Sequence, residues 1–363
     1  MKTTEAAARD DKIASSMSLA AQPRFPLASL PTPLNEAARL RDALGGPARC
    51  PRILMKRDDL TGLALGGNKA RKLEYLVADA LRERATVLVT SGATQSNHAR
   101  MTAAAARAAG LDVSLVLTAS AEAPPLQGNL LLDHLFGATI HLIAASDDPL
   151  LAVADDEAAK VAEVAADLTR GGKRPYVIPV GGSTAIGALG YVSATLEILT
   201  QLLALGESAT RLYYASGSRG TQAGLELGSR LFSAPYRLHG IAVSGGETEK
   251  KERAARVGSE AAAIIGSPVR ISASELTTDQ RYIGEGYGIP TEGCLEGITL
   301  LAHREGILLD PVYSGKAMAA LIDHIRQGEI DSGETVVFLH TGGTPALFAH
   351  ADRFRTVGNL NRK

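Results

Sequence analysis

Strand-like and helix-like segments alternate along most of the chain from about Arg52. Short apolar runs typical of buried strands are separated by amphipathic stretches with the helical period, which predict helices at residues 69–84, 155–169 and 187–205 and a loop at 121–128. Repeated strand–helix–strand units predict mostly parallel sheets covered by helices. Because ligands in such folds bind at the carboxyl ends of strands, the Gly-rich turns found there are the first places to search for function.

The length of 363 residues is too great for one simple core, and we expect two lobes with a site between them. Hydrophobic residues make up 45% of the chain, but aromatic residues only 4% and Trp is absent, so the core is built mainly from Ala, Val, Leu and Ile, as in an ordinary α/β enzyme. No internal repeat, low-complexity block or linker is evident. We therefore expect the lobes to be interleaved along the chain.

The charge balance favours a small-molecule ligand. Lys and Arg number 38 against 39 for Asp and Glu, which gives a net charge of -1 and no large field to attract nucleic acid or an anionic membrane. Cys50 and Cys294 match no metal-ligand spacing, and neither a cleavable signal nor a long apolar run is evident, so we expect a cytoplasmic protein without a metal. Residues 1–20 carry both charge signs and few apolar side chains, which predicts a flexible tail.

The first candidate site is the stretch KRDDLTGLALGGNKARKLEYL, in which a Gly pair precedes Asn68 and Lys69. The glycines let another group approach the backbone closely. The pattern is not a Walker A loop, because Asn68 separates Gly67 from Lys69 and Ala70 stands where that motif has a hydroxyl residue. Lys69 at a helix start is suited to a lysine with a lowered pKa, which Schiff-base chemistry requires. The alternative is an exposed helix lysine.

The second candidate is SGATQSNHAR, where a strand ends in small and amide residues and a helix begins. Ser96, Asn97 and His98 present hydroxyl, amide and N–H donors at this helix N-terminus, which suits a carboxylate. The alternative is simple helix capping by Thr94 or Ser96.

The third candidate, ASGSRGTQAGL, has the form of a phosphate-binding turn. A strand ends, Gly217 and Gly220 free the backbone, and the next helix directs its first N–H groups at an anion, with contacts added by Ser218 and Thr221. Many turns of this form bind nothing.

Together these stretches resemble the fold type II pyridoxal-phosphate (PLP) enzymes, in the branch that holds D-cysteine desulfhydrase and 1-aminocyclopropane-1-carboxylate (ACC) deaminase. The similarity runs from residues 30–34 to residues 342–348, nearly the whole chain beyond the tail. The matching segments are KRDDLTG, GGNKARKLE, QSNHAR, GNLLLDHLFGA, GGS at 181–183, SRGTQAG, GYGIP, LDPVYSGKAM and FLHTGGTPALF.

The resemblance implies roles for individual residues. Lys69 would form the Schiff base with pyridoxal 5'-phosphate, and Lys72, one turn on, would reach the phosphate. The residues implied to be catalytic are Lys69, Ser96, Tyr287 and Tyr313. Those implied to contact the cofactor are Lys69, Lys72, Asn97, Ser218, Arg219, Gly220, Thr221 and Ser314. Those implied to contact the substrate are Ser96, Asn97, His98 and Thr341.

Two positions separate the branches of this family. ACC deaminases resemble the chain at LDPVYSGKAM and FLHTGGT but carry Glu in place of Ser314 and Leu in place of Thr341. A carboxylate keeps the pyridine nitrogen protonated and the ring a strong electron sink, whereas a hydroxyl accommodates a neutral nitrogen. Ser314 and Thr341 therefore favour β-elimination from a D-cysteine-like small amino acid, to pyruvate, sulfide and ammonia.

Arg219 departs from the family pattern, which has a small residue there. We expect its side chain to point to solvent. Turned inward, it would instead pair with the phosphate or with an anionic substrate such as L-cysteate. The alternatives that remain are thus an L-cysteate sulfo-lyase, an ACC deaminase and, in another class, a PLP-binding protein without turnover.

The resemblance also implies the architecture. We expect an α/β fold like that of the tryptophan synthase β subunit, with two interleaved, open, twisted parallel-sheet domains. The large PLP-binding domain would comprise residues 21–71 and 182–363, the small domain residues 72–181, and the protein would form a homodimer.

Overall fold

The structure is a computed structural model that describes residues 2–120, 123–145 and 156–354. Two sheets organise it, one with strand order β1-β2-β10-β7-β8-β9 and one with order β5-β4-β3-β6. The strands of the larger sheet are β1 Leu34–Glu36, β2 Arg52–Arg57, β7 Arg211–Ser216, β8 Arg237–Ala242, β9 Thr278–Asp279 and β10 Thr335–His340. Those of the smaller sheet are β3 Val87–Ala93, β4 Asp112–Ala119, β5 Thr139–Ala144 and β6 Pro175–Ile178.

Every strand pair is parallel except β1 with β2. The central strands are buried on both faces, which explains their continuous apolar runs. The α/β fold class expected from the sequence is confirmed. The smaller sheet falls within residues 72–181 and the larger one outside them, while the division into two domains at those boundaries stays a prediction.

Helices cover both sheets. They are α1 Lys2–Ala20, α2 Ala38–Ala43, α3 Lys69–Arg82, α4 Asn97–Ala108, α5 Gly128–Leu135, α6 Glu157–Arg170, α7 Ala185–Ala204, α8 Gly220–Phe232, α9 Glu247–Ile264, α10 Glu292–Glu305, α11 Ser314–Arg326 and α12 Pro345–Ala349. The first residue of the helix predicted at 155–169 lies outside the described residues. So does part of the loop predicted at 121–128.

The N-terminal segment corrects one expectation. Residues predicted to form a flexible tail are helical as α1, and Leu19 is 4% exposed in a core cluster with Tyr75 and Leu189. The Lys12 ammonium also donates to Ser233 Oγ at 2.6 Å. Because Ala and long charged side chains favour helices, such a segment forms one as soon as a single apolar residue can dock.

Helix α7 is long and apolar enough to cross a membrane by length and composition alone. More than half of its apolar window is buried, however, and residues such as Leu189 and Val192 belong to the core between α3, α8 and α9. An all-round apolar helix is what the centre of a large α/β core requires.

A buried ionic network fixes the start of α3 against the larger sheet. The Arg71 guanidinium bonds both Asp58 oxygens at 2.8 Å and Glu197 at 2.8 and 3.0 Å. Lys56 pairs with the same Glu197, and Thr32 Oγ1 donates to Asp58 at 2.8 Å. The ion pair of Arg71 and Asp58 therefore holds the helix that carries Lys69.

Candidate active site

A cleft opens at the carboxyl ends of β3, β7 and β10. This is where parallel-sheet folds place ligands. The predicted site residues that line it are Lys69, Ser96, Asn97, His98, Ser218, Arg219, Thr221, Tyr287, Tyr313 and Thr341. Lys72, Gly220 and Ser314 do not line it.

The turn before Lys69 is held by close backbone packing. Gly67 and Gly342 have φ of 135° and 82°, and a Cβ on Gly342 would lie 2.6 Å from Gly67 Cα. The Asn68 N–H donates to the Thr341 carbonyl at 3.0 Å. Only glycine allows two loops to meet this closely, so the Gly pair serves to seat Lys69 beside the last strand.

The Lys69 amine is a nucleophile at moderate pH. Burial lowers its pKa to about 8, with Asp310 opposing and Arg100 reinforcing the shift. Its described hydrogen bond is to Asn68 Oδ1 at 3.0 Å. An amine that loses its proton this readily and lines a cleft is suited to form a Schiff base with an aldehyde.

Lys72 is a buried cation that needs an anion. It is 1% exposed, its ammonium donates to the Gly181 carbonyl at 3.0 Å, and no carboxylate pairs with it in the part of the chain that the structure describes. Burial, and then the charge of Lys69, hold the pKa of Lys72 well below its usual value. A phosphate would remove this penalty, since buried charges are normally paired.

The loops around Lys72 leave a cradle in which a phosphate would fit. A Cβ on Gly220 would lie 2.9 Å from Lys72 Nζ and 2.8 Å from Ser183 Oγ, and one on Gly181 would overlap Ser218 Oγ. Ser183 donates to Ser218 Oγ at 2.9 Å and accepts from the Gly220 N–H. Hydroxyls, the N-terminus of α8 and one buried cation thus converge where Cβ atoms would fill the space.

The N-terminus of α4 has free donors for a carboxylate. Ser96 Oγ accepts from the Ala99 N–H at 3.2 Å, so Ser96 caps the helix and also lines the cleft. The helix cap expected for Ser96 is confirmed, and its contact with a substrate carboxylate stays a prediction. The first backbone N–H groups of the helix point out of it and can donate hydrogen bonds to an anion.

His98 presents no side-chain donor to the cleft. The Thr90 hydroxyl donates to the Ile178 carbonyl at 2.6 Å, so it must accept the proton of His98 Nε2 at 2.9 Å. Nδ1 is left as a buried lone pair without a described partner. Burial keeps the pKa of His98 well below its usual range. The contribution of His98 to an anion site is thus its backbone N–H.

Tyr287 and Tyr313 face each other in the cleft. Their hydroxyls hydrogen-bond, and their ring centroids lie 6.0 Å apart with planes at 69°. Burial raises the pKa of Tyr287, while burial and the neighbouring Tyr287 raise that of Tyr313 further. Both therefore carry their proton at neutral pH.

Ser314 lies behind the cleft wall. Its hydroxyl donates to Asp310 Oδ1 at 2.6 Å and accepts from the Asp310 N–H at 2.8 Å. The same carboxylate accepts from the N–H groups of Val312, Tyr313 and Ser314. The structure therefore ties Ser314 to the turn that carries Tyr313, and its contact with a pyridine nitrogen stays a prediction.

The expectation that Arg219 points to solvent is wrong. Arg219 is 2% exposed, has φ of 71°, pairs with Glu247 and donates to Ser216 Oγ and Gln222 Oε1. The side chain lies under the turn that precedes α8, where Glu247 compensates its charge.

The sequence reasoning missed the cations Lys250 and Arg253, which also line the cleft. Lys250 donates to Ser244 Oγ at 2.7 Å and to the Gly245 carbonyl, and burial, with the charges of Arg219 and Arg253, lowers its pKa to about 8. Both lie on α9, which follows β8. Their place after the carboxyl end of a parallel strand could have indicated them from the sequence.

The fold and the cleft together define an α/β enzyme that holds a phosphorylated aldehyde cofactor on a lysine. The reactive amine of Lys69, the unpaired buried ammonium of Lys72 and the cradle of Gly220 fit pyridoxal phosphate. The profile of the family described as pyridoxal-phosphate dependent enzymes matches residues 26–342. The chain belongs to this family, and the expected cofactor is confirmed.

Two relatives are named D-cysteine desulfhydrase. The chain is 44% identical over 332 residues to the D-cysteine desulfhydrase of Salmonella choleraesuis (strain SC-B67), covering 90% of this chain and 96% of that protein. It is 43% identical over the same length to the D-cysteine desulfhydrase of Salmonella typhi, with the same coverage.

Solved structures agree with the architecture. A crystal structure of an ACC deaminase homologue matches with a TM-score of 0.84 at 38% identity, covering 95% of this chain and 99% of that one. The processed form of threonine deaminase isoform 2 from Solanum lycopersicum matches with a TM-score of 0.66 at 16% identity, covering 97% and 94% of the two chains, which shows the fold alone.

Proposed function

We propose that this protein is a carbon–sulfur lyase that converts D-cysteine, or a closely related small amino acid, to pyruvate, sulfide and ammonia. The observation that carries the proposal is one cleft lined by an amine that acts as a base at moderate pH and by a pair of protonated tyrosines. Relatives named D-cysteine desulfhydrase, which the chain matches over most of their length, support it.

The residues divide the work as follows. The N–H groups at the start of α4, with Ser96, hold the substrate carboxylate, while Lys72 and the α8 turn hold the cofactor phosphate. When bound, the cofactor withdraws electrons from the substrate Cα. The Lys69 amine removes the Cα proton, because a pKa of about 8 makes it a competent base near neutral pH.

The departing sulfur needs a proton, and the hydrogen-bonded pair Tyr287 and Tyr313 is suited to donate it. As the Cα–H electrons form the Cα–Cβ double bond, the Cβ–S bond breaks and the thiolate takes a proton from one of the two hydroxyls. The other tyrosine then stabilises the oxygen left behind through the hydrogen bond that joins them. The proton held by Lys69 returns to that oxygen, and the released 2-aminoacrylate takes up water to give pyruvate and ammonia, which balances the reaction.

β-Elimination is favoured over ACC deamination by the uncharged Ser314. Its hydroxyl already bonds Asp310, whose carboxylate is occupied by backbone N–H groups of the same turn. Neither group offers the free carboxylate that keeps a pyridine nitrogen protonated. Thr341 likewise adds a neutral hydroxyl to the cleft.

The test is sulfide and 2-oxo acid release in separate incubations with D-cysteine, L-cysteine, L-cysteate and ACC, with Lys69→Ala as the control. Sulfide and pyruvate from D-cysteine, absent in the variant, support the proposal. 2-Oxobutyrate from ACC contradicts the argument from Ser314. Protein that binds the cofactor but turns over no substrate indicates the non-catalytic alternative.

L-Cysteate sulfo-lyase activity is the second candidate, favoured by the cations at the cleft. Glu247 neutralises Arg219, but Lys250 and Arg253 line the same cleft and would attract a sulfonate. Lys250→Gln should raise KM for L-cysteate by about tenfold and leave KM for D-cysteine unchanged. Equal effects on both substrates, or no turnover of L-cysteate, contradict this candidate.

We further propose a cytoplasmic homodimer, for which the family resemblance is the support. Cys50 and Cys294 are buried free thiols, as is common in a reducing compartment. Light scattering of the purified protein checks the dimer, which a monomeric mass would overturn. Cell fractionation checks the compartment.

A further inference from the structure

The structure assigns a positioning role to Asn129: it fixes the amide of Asn97 so that the Asn97 Nδ2 group is the donor offered to the cofactor in the cleft. Asn129 belongs to GNLLLDHLFGA on α5, a segment to which the proposed reaction gives no role. It is 0% exposed and does not line the cleft.

Backbone groups determine how each amide in this chain is oriented. Gln95 Nε2 donates to the Gln127 carbonyl at 3.0 Å, and Gln95 Oε1 accepts from the Asn129 N–H at 2.9 Å. Asn129 Nδ2 donates to the Gln95 carbonyl at 2.8 Å. Since a carbonyl only accepts and an N–H only donates, neither side-chain amide can be flipped.

The orientation of Asn97 follows from that of Asn129. The same Nδ2 lies 2.9 Å from Asn97, so the atom that faces it must be the oxygen, Oδ1. Asn97 Nδ2 is thereby turned to the opposite side, where a Cβ on Gly343 would lie 2.9 Å from it. Asn97 therefore offers a hydrogen-bond donor, which suits an acceptor such as the ring oxygen of the cofactor.

The burial of Asn129 supports a role beyond packing. Its own Oδ1 is buried with no hydrogen-bond partner among the described residues. An unsatisfied buried oxygen destabilises a fold. Gly128 is equally constrained, because with φ of 55° a Cβ there would overlap Gln95 Oε1. Packing alone would be better served by Leu at 129 and by a larger residue at 128.

The test is a double-mutant cycle read out by cofactor binding. Asn129→Leu and Asn97→Ala should each raise the Kd for pyridoxal phosphate about tenfold, the effect of losing one hydrogen bond to a charged acceptor. The double variant should be no weaker than either single one, because Asn129 acts through Asn97. Asn129→Asp, which keeps the shape but cannot donate to Asn97 Oδ1 as a carboxylate, should behave like Asn129→Leu and guards against misfolding.

Controls separate positioning from general destabilisation. His134→Ala, on the exposed side of the same helix, should leave the Kd and the visible spectrum of the bound cofactor unchanged. Additive losses in the double variant would overturn the proposal. So would a lowered melting temperature with normal cofactor affinity in both Asn129 variants, or normal affinity in Asn97→Ala.

Discussion

Replacing Lys72 by Met should affect the cofactor-free and the cofactor-bound protein in opposite directions. In the free protein the substitution removes a 1% exposed ammonium that no described carboxylate pairs with, so the free energy of unfolding should rise by about 1 kcal/mol. In the bound protein it removes one charge from the phosphate. Two unit charges about 4 Å apart at an effective dielectric of about 20 attract by about 4 kcal/mol, which is nearly a thousandfold in Kd.

Lys56→Met is the matched control, since Lys56 is a buried lysine that pairs with Glu197 away from the cleft. Breaking that pair should destabilise the free protein by about 3 kcal/mol and raise the cofactor Kd by no more than about threefold. Chemical denaturation of both free variants and fluorescence titration with pyridoxal phosphate measure the two quantities. A Kd for Lys72→Met within about threefold of wild type, or a similar loss of affinity in both variants, would refute the reasoning.

Three further predictions concern titratable groups. Tyr287→Phe and Tyr313→Phe should each lower kcat for D-cysteine, by about 100-fold for the residue that donates the proton, and an unchanged kcat in both variants would contradict the role of the pair as the acid. The rate at which cofactor-free protein captures pyridoxal phosphate on Lys69 should rise with pH and level off above about 8, and a midpoint near the ordinary lysine value would contradict it. Burial raises the pKa of Asp133 to about 8 against about 3.9 unfolded, so the folded state retains a proton between these values and loses stability as pH rises through them. The unfolding free energy of Asp133→Asn minus that of wild type should therefore be at least about 1 kcal/mol larger at pH 8 than at pH 5 in denaturant titrations. The same difference at both pH values would exclude the shift.

The sequence alone determined most of the secondary structure. The helices predicted at 69–84 and 187–205 are Lys69–Arg82 and Ala185–Ala204 in the structure. Apolar periodicity and Gly-rich turns are local properties, so they can be recognised without knowing what packs against them. The same turns indicated Lys69, Ser96 and Ser218, which the structure brings to one cleft, because ligand sites form where a strand passes into a helix, while their contacts with cofactor and substrate stay predictions.

The strand order required the tertiary structure. β10 lies between β2 and β7, although long stretches of chain separate these strands in sequence. Such pairing depends on which apolar faces meet, and no local pattern encodes it.

Side-chain direction was likewise decided only by the fold. Arg219 is turned inward by a left-handed backbone and by Glu247 on another helix, and α1 is ordered by the core that receives Leu19. The orientation of Asn97 depends on Asn129, which lies 32 residues away in sequence. Local periodicity reports which face of an element is apolar, whereas burial, charge pairing and hydrogen-bond direction depend on distant residues that only folding brings together.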